Sequence, residues 1–325
     1  MNLYPFKFEP LLRPMIWGGN DICKFKEITP VEAGIGESWE ISDFQDNMSV
    51  IANGELKGKT LHDVITENGA SFMGKHVYER FGNRFPLLVK FIDACNDLSI
   101  QVHPDDELAE KRHDSFGKTE MWYVINAREG AGLYSGFSAQ ITPEEYVDRV
   151  KNNTFMDVLK RYEVKPGDVF FLPAGRVHAI GSGLFIAEIQ QTSDVTYRIY
   201  DYNRLDKDGN RRELHTELAK DAIDYEVLTD YQTNYEHHKN EAVELVECKY
   251  FHTNLLEINK SAERKMKQYD SFIIYICNAG KGEIEDADGN KVSVCQGDSI
   301  LVPASMADLT IRPEGDLTLL EVYIP

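Results

Sequence analysis

One stretch of the chain occurs twice, and no other feature narrows the fold so far. Val164-x-x-Gly167-Asp168-x-x-x-Leu172-Pro173-Ala174 returns as Val294-x-x-Gly297-Asp298-x-x-x-Val302-Pro303-Ala304. Upstream, Tyr123-Val124-Ile125-Asn126-Ala127 is echoed by Tyr275-Ile276-Cys277-Asn278-Ala279. In each copy Gly-Asp makes a tight turn into a strand, and Pro-Ala ends that strand at a rim where no ladder N–H is needed. Many short strands with turn signals between them predict a mainly β chain of two small jelly-roll barrels with small helical insertions. The copies differ in their polar residues. His178 stands four residues after Ala174, whereas Asp308 stands four after Ala304. Glu120 lies six residues before Asn126, and six before Asn278 lies Phe272. Chemistry is therefore expected in the first copy alone.

Within that first copy, Gln101 and His103 alternate with Ile100 and Val102, so both polar side chains point to one face of a strand that Pro104 ends. A Gln and a His on an inward face cost several kcal/mol unless something satisfies them. Glu120 opens the apolar run Met121-Trp122-Tyr123-Val124-Ile125, which can return as a neighbouring strand, and His178 supplies a second imidazole. Gln101, His103, Glu120 and His178 are thus candidate metal ligands. Nitrogen and oxygen donors without a thiolate suit zinc. Two imidazoles and a carboxylate also suit non-haem iron, and the residues alone leave that choice open. Lys90 interrupts the buried run Pro86-Leu87-Leu88-Val89-Lys90-Phe91-Ile92-Asp93, which makes it either a snorkelling residue or a cation facing the site.

The net charge of −19 argues against nucleic acid and anionic membranes as partners, while a small anionic ligand needs local cations. No apolar run approaches the ~20 residues of a membrane span. The first residues show no basic region followed by an apolar core, so no signal peptide is expected. Cys23, Cys95, Cys248, Cys277 and Cys295 are scattered and odd in number, which fits reduced thiols of a cytoplasmic protein. Helices are expected from Thr60, as cap to Leu61, Val64 and Ile65, and from Thr142-Pro143-Glu144-Glu145 through an insertion ending near Tyr162. A turn is expected over Leu205–Asn210 and a polar connection from 214 to about 240. The domains expected are 1–240, carrying the site, and 241–325, without metal ligands.

The turn Pro166-Gly167-Asp168…Pro173-Ala174-Gly175…His178 resembles the second signature of the cupin family. Gln101-x-His103…Glu120…His178 resembles the metal site of the type I mannose-6-phosphate isomerases. Supporting stretches include Trp17-Gly18-Gly19, Gly36-Glu37-Ser38-Trp39-Glu40, Gly117-Lys118-Thr119-Glu120 and Thr196-Tyr197-Arg198. The length suits the short bacterial form of that family. The resemblance implies one zinc ion per chain on Gln101, His103, Glu120 and His178, with Arg198 as the catalytic arginine. It also suggests Lys118, Lys90 and Ser99 as substrate or phosphate contacts. The implied substrate is a small sugar phosphate, and the reaction interconverts mannose 6-phosphate and fructose 6-phosphate through an enediol(ate). Negative charge developing on two oxygens calls for a cation in a water-poor cavity, and an arginine there acts as a clamp, not a base. Lys118 lowered by nearby cations, a carboxylate or a metal-bound water could carry the proton. A non-haem iron dioxygenase and a non-catalytic sugar-binding cupin are the competing readings. The first of these predicts a mostly apolar pocket.

Overall fold

The computed structural model describes residues 3–205 and 209–325, so residues 206–208 of the expected turn lie outside it. On either side of them Leu205 and Arg211 meet in an antiparallel bridge. The first jelly-roll unit sandwiches two sheets. One has seven strands in the order Gln232–Thr233, Val169–Leu172, Glu120–Ala127, Leu184–Gln191, Leu87–Ala94, Leu11–Gly19 and Ile35–Ile41. The other has five, in the order Leu159–Glu163, Gly132–Phe137, His178–Ile180, Ile100–Val102 and Tyr197–Tyr200. Inward-facing Trp122, Val124, Phe170, Leu172, Ile186, Leu133 and Ile180 form the core between them. The second unit repeats the plan with a six-stranded and a four-stranded sheet; its interior is built on Ile273, Tyr275, Cys277, Ile300, Ile311 and Leu319 and also buries Glu321, which accepts from Asn254, Arg264 and Tyr275.

The outer faces of the two large sheets share the largest core. Val89, Phe91, Met121, Val169 and Ile189 from one side meet Leu255, Ile274, Ile276, Leu301 and Leu320 from the other. Period-two alternation explains why one strand serves two cores: Met121 and Tyr123 face the second unit while Trp122 and Val124 face inward. The start of the chain crosses over, because Phe6 and Lys7 pair with Leu301 and Ile300 as the edge strand of the second unit's large sheet.

Two expected helices form where their caps predict. Thr60 accepts from Asp63 N and Asp63 returns the bond to Thr60 N, opening Leu61–Asn68; Thr142 and Glu145 do the same for Pro143–Lys151. The second insertion is shorter than expected. After a single turn at Phe155–Val158 the chain becomes the strand Leu159–Glu163, because its backbone pairs with Gly132–Phe137 and Tyr162 packs edge-on to Phe170. The polar connection contains the short helix Thr216–Ala222, which with Tyr146 and Phe155 covers the outer face of the five-stranded sheet.

Strand pairing also corrects one position in the repeat. Leu172 is paired with Glu120, and its counterpart Val302 is paired with Ile273, so Ile273 and not Phe272 takes the place of Glu120. Each strand carries a bulge near its end, at Ile125 in the first unit and at Asn278 in the second. Counting back from the two asparagines therefore slips by one residue, which exchanges faces.

Candidate metal centre

Register explains how four residues far apart in the chain meet. His178 and Gln101 are directly paired across their strands, and Gln101 is paired in turn with Arg198. Paired residues share a face, so one row across three strands carries an imidazole, an amide and a guanidinium. His103 follows Gln101 by two residues and stays on that face as its strand ends. Glu120 arrives from the opposite sheet, held between Leu172 and Gln190.

The reactive atoms converge. His178 Nε2 lies 3.3 Å from Glu120 Oε1, and His103 Nε2 lies 3.6 Å from Glu120 Oε2. One ligating atom from each of the three falls within 4.8 Å of the others, and all three side chains are buried. Each histidine directs Nδ1 to a backbone carbonyl, His103 to Val195 O at 2.9 Å and His178 to Arg176 O at 2.8 Å, leaving the Nε2 lone pair for the cluster. Burial drives both imidazoles neutral, His103 well below its ordinary value and His178 down to about 3. Both carboxylate oxygens of Glu120 are buried without a hydrogen bond of acceptable geometry. A buried carboxylate needs compensating charge; Lys118 supplies part of it beside Oε2, and a metal ion between Glu120 and the imidazoles would supply the rest. The amide of Gln101 reaches His178 Nε2 with its nitrogen at 3.4 Å, and a half-turn exchanging its oxygen and nitrogen would present Oε1 there. This donor set fits a zinc-like ion. One other group of suitable ligands occurs among the described residues, Glu244, Glu247 and His252, and its two acids stand in solvent on the second unit.

Lys118 enters the same cluster, its Nζ 2.9 Å from Glu120 Oε2 and 3.2 Å from His103 Nε2. Burial pulls the ammonium down, but Glu120 and Glu188 outweigh it and hold Lys118 above its ordinary value. For Glu120, burial dominates and pushes its acid up. Lys90 is buried too, with Nζ 3.5 Å from Glu188 and 3.8 Å from Glu37, lying over the Trp39 ring. Ser99 is buried just before the strand Ile100–Val102, where Leu98 N bonds to Ile180 O.

Arg198 is half-buried at the end of its row, with Nη1 donating to Glu213 O at 3.1 Å and Nε buried without a partner. Burial lowers its pKa, with Arg212 and Arg204 beside it acting in the same direction; both of those are clamped by Asp201. Glu188 is the residue that reading the sequence missed. It is paired with both Trp122 and Lys90, accepts a hydrogen bond from Trp122 Nε1 at 2.9 Å, and faces Lys118. Its signal was present: an acid at an inward position of Ile186–Gln191, in a strand whose alternate residues are apolar.

Gly117 lets the Lys118–Glu120 segment come close to the helix start at Asp105–Asp106. A Cβ there would lie 2.6 Å from both Asp105 C and Asp106 N, which are backbone atoms with little room to yield. Gly117→Ala is expected to cost about 1–3 kcal/mol of stability. The midpoint of urea unfolding of the metal-free protein measures this, and an unchanged midpoint contradicts the close fit.

A family model described as the catalytic domain of type I phosphomannose isomerase matches residues 6–125, and one for the mannose-6-phosphate isomerase cupin domain matches residues 241–324. The mannose-6-phosphate isomerase ManA of Bacillus subtilis is 34% identical over 317 residues, covering 96% of this chain and 97% of that protein. The putative mannose-6-phosphate isomerase YvyI of the same organism is 37% identical over 328 residues, covering both chains entirely. The crystal structure of a Bacillus subtilis mannose 6-phosphate isomerase superposes with a TM-score of 0.88 at 35% identity, covering 98% of this chain and 99% of that one.

Proposed function

Because the chain belongs to the type I phosphomannose isomerase family, we propose that this mannose-6-phosphate isomerase works through an enediolate at one zinc ion, held by Gln101, His103, Glu120 and His178. Mannose 6-phosphate and fructose 6-phosphate are its substrate pair. The site belongs to residues 1–240, and residues 241–325 form a second unit without it. The observation that carries this reading is the pair of buried Glu120 oxygens facing two neutral imidazoles. All five cysteines are free thiols, in keeping with work in the cytoplasm.

Zinc would supply Lewis acidity where charge builds on the sugar's two oxygens. The chain's own groups do the rest. Burial of the cluster excludes water and strengthens every charge interaction in it. Arg198 never deprotonates, so it binds and orients an anionic oxygen. Lys118, with Nζ 2.9 Å from Glu120 Oε2, places a proton-bearing group beside the ligand cluster. Lys90 is neutralised by Glu188, so in this scheme it fixes that carboxylate first and meets substrate second, with Ser99 beside the row as a further contact. A dioxygenase would want an apolar pocket; two buried lysines and Glu188 make this one strongly polar.

A coupled assay with both sugar phosphates tests the reading. Activity should vanish on prolonged chelation and return when zinc is restored. No turnover of either sugar phosphate by the metal-replete protein would overturn it.

A further inference from the structure

We propose that Tyr250, at a hairpin tip of the second unit, is a positioning residue for the metal centre of the first, acting through Asp106 and Gln191. The inference rests on the metal-centre reading above, and it assigns work to a unit that lacks that centre's ligands.

Tyr250 lies in the turn between the strands Ala242–Glu247 and His252–Ile258. The turn is held firmly. Cys248 N donates to Phe251 O at 3.0 Å, and Phe251 is fully buried in the shared core, edge-on to Phe171. From there the Tyr250 hydroxyl donates to Asp106 Oδ2 at 2.5 Å. The other oxygen, Asp106 Oδ1, accepts from Gly117 N at 3.0 Å and from Gln191 Nε2 at 2.9 Å. Because Gln191 spends its nitrogen on Asp106, its Oε1 is turned the other way and accepts from Thr119 N at 2.9 Å. Gln191 N closes the pair by donating to Thr119 O at 3.1 Å.

The chain of bonds therefore grips Gly117 and Thr119, the residues on either side of Lys118, and Thr119 precedes Glu120 directly. Asp106 also lies three residues after His103, and Lys118 N donates to Pro104 O at 3.1 Å. One carboxylate thus ties the segment carrying His103 to the segment carrying Lys118 and Glu120. Without the tyrosine hydroxyl, Asp106 Oδ2 retains only the exposed ammonium of Lys249 at 3.7 Å, a contact too long and too solvated to hold it. The carboxylate can then rotate, the Gln191 amide loses its fixed direction, and the Glu120 oxygens drift from the imidazoles. Groups hydrogen-bonded directly to a metal's ligands commonly alter its affinity by about 10- to 100-fold, and a residue acting through a relay belongs at the low end of that range.

Tyr250→Phe tests this, with Lys249→Ala as the neighbouring control. Competition with a fluorescent chelator should show zinc held about 10-fold less tightly in Tyr250→Phe and unchanged in Lys249→Ala. Amide hydrogen exchange at Gly117 and Thr119 of the zinc-free protein should quicken in Tyr250→Phe while its unfolding midpoint stays put. Combining Tyr250→Phe with Asp106→Asn should add nothing to Asp106→Asn alone, since both cut the same chain of bonds. Unchanged zinc affinity and unchanged exchange at Thr119 would overturn the proposal, as would losses that merely track a lowered unfolding midpoint. A wild-type protein that held no zinc would defeat the metal reading instead, and the exchange measurement would still decide whether Tyr250 holds the segment.

Discussion

Replacing His178 by alanine should strip the protein of its metal and lower kcat/KM about 100-fold or more. His178 Nε2 is one of the two neutral imidazole donors, aimed at Glu120 Oε1 from 3.3 Å and locked in that tautomer by the Arg176 carbonyl. Its loss leaves a cavity walled by Trp122, which packs edge-on against the ring. Asp308→Ala, at the position that sequence spacing sets against His178 although Leu309 takes the inward place in the strand, removes an exposed side chain and should leave zinc content and activity nearly intact. Metal analysis after gel filtration, with the coupled assay on the same sample, separates the two variants. Equal loss in both would show that the centre had been placed in the wrong unit.

The second large effect is expected at Arg198, and it should differ in kind. Arg198→Ala should lower kcat about 100- to 1000-fold while the zinc stays bound. Arg198 shares a row with Gln101, but the cluster of ligating atoms does not include it, so its removal costs transition-state charge stabilisation and leaves the donor set whole. Arg198→Lys should recover little, because a single ammonium cannot reproduce a planar fork that also donates to the Glu213 carbonyl. Loss of zinc in Arg198→Ala would make the residue structural, and an unchanged kcat would remove it from the chemistry.

Much of this site is local in character, which is why it could be read from the chain. Gln101 and His103 share a face because strand alternation is a property of the backbone. The two Gly-Asp turns with their Pro-Ala strand ends mark the rims of two units, and the capping residues Thr60 and Thr142 begin their helices where such residues must. Other features depend on the partner strand. Whether Leu159–Glu163 continues a helix or joins a sheet is settled by the open edge of Gly132–Phe137, which no local signal announces. The counterpart of Glu120 slipped by one residue because a bulge is visible only once two strands are laid side by side.

The sequence by itself determined the repeat, the β class and the candidate ligands that converge in the fold, since turn chemistry and side-chain type are written residue by residue. Only the tertiary structure decided that Glu188 and Lys90 face each other behind the cluster, that Lys118 reaches Glu120 and His103, and that Tyr250 reaches Asp106 from the other unit. The physical reason is the same in each case. Burial and charge at a point depend on everything packed around it, and in a sheet most of those neighbours come from strands remote in the chain.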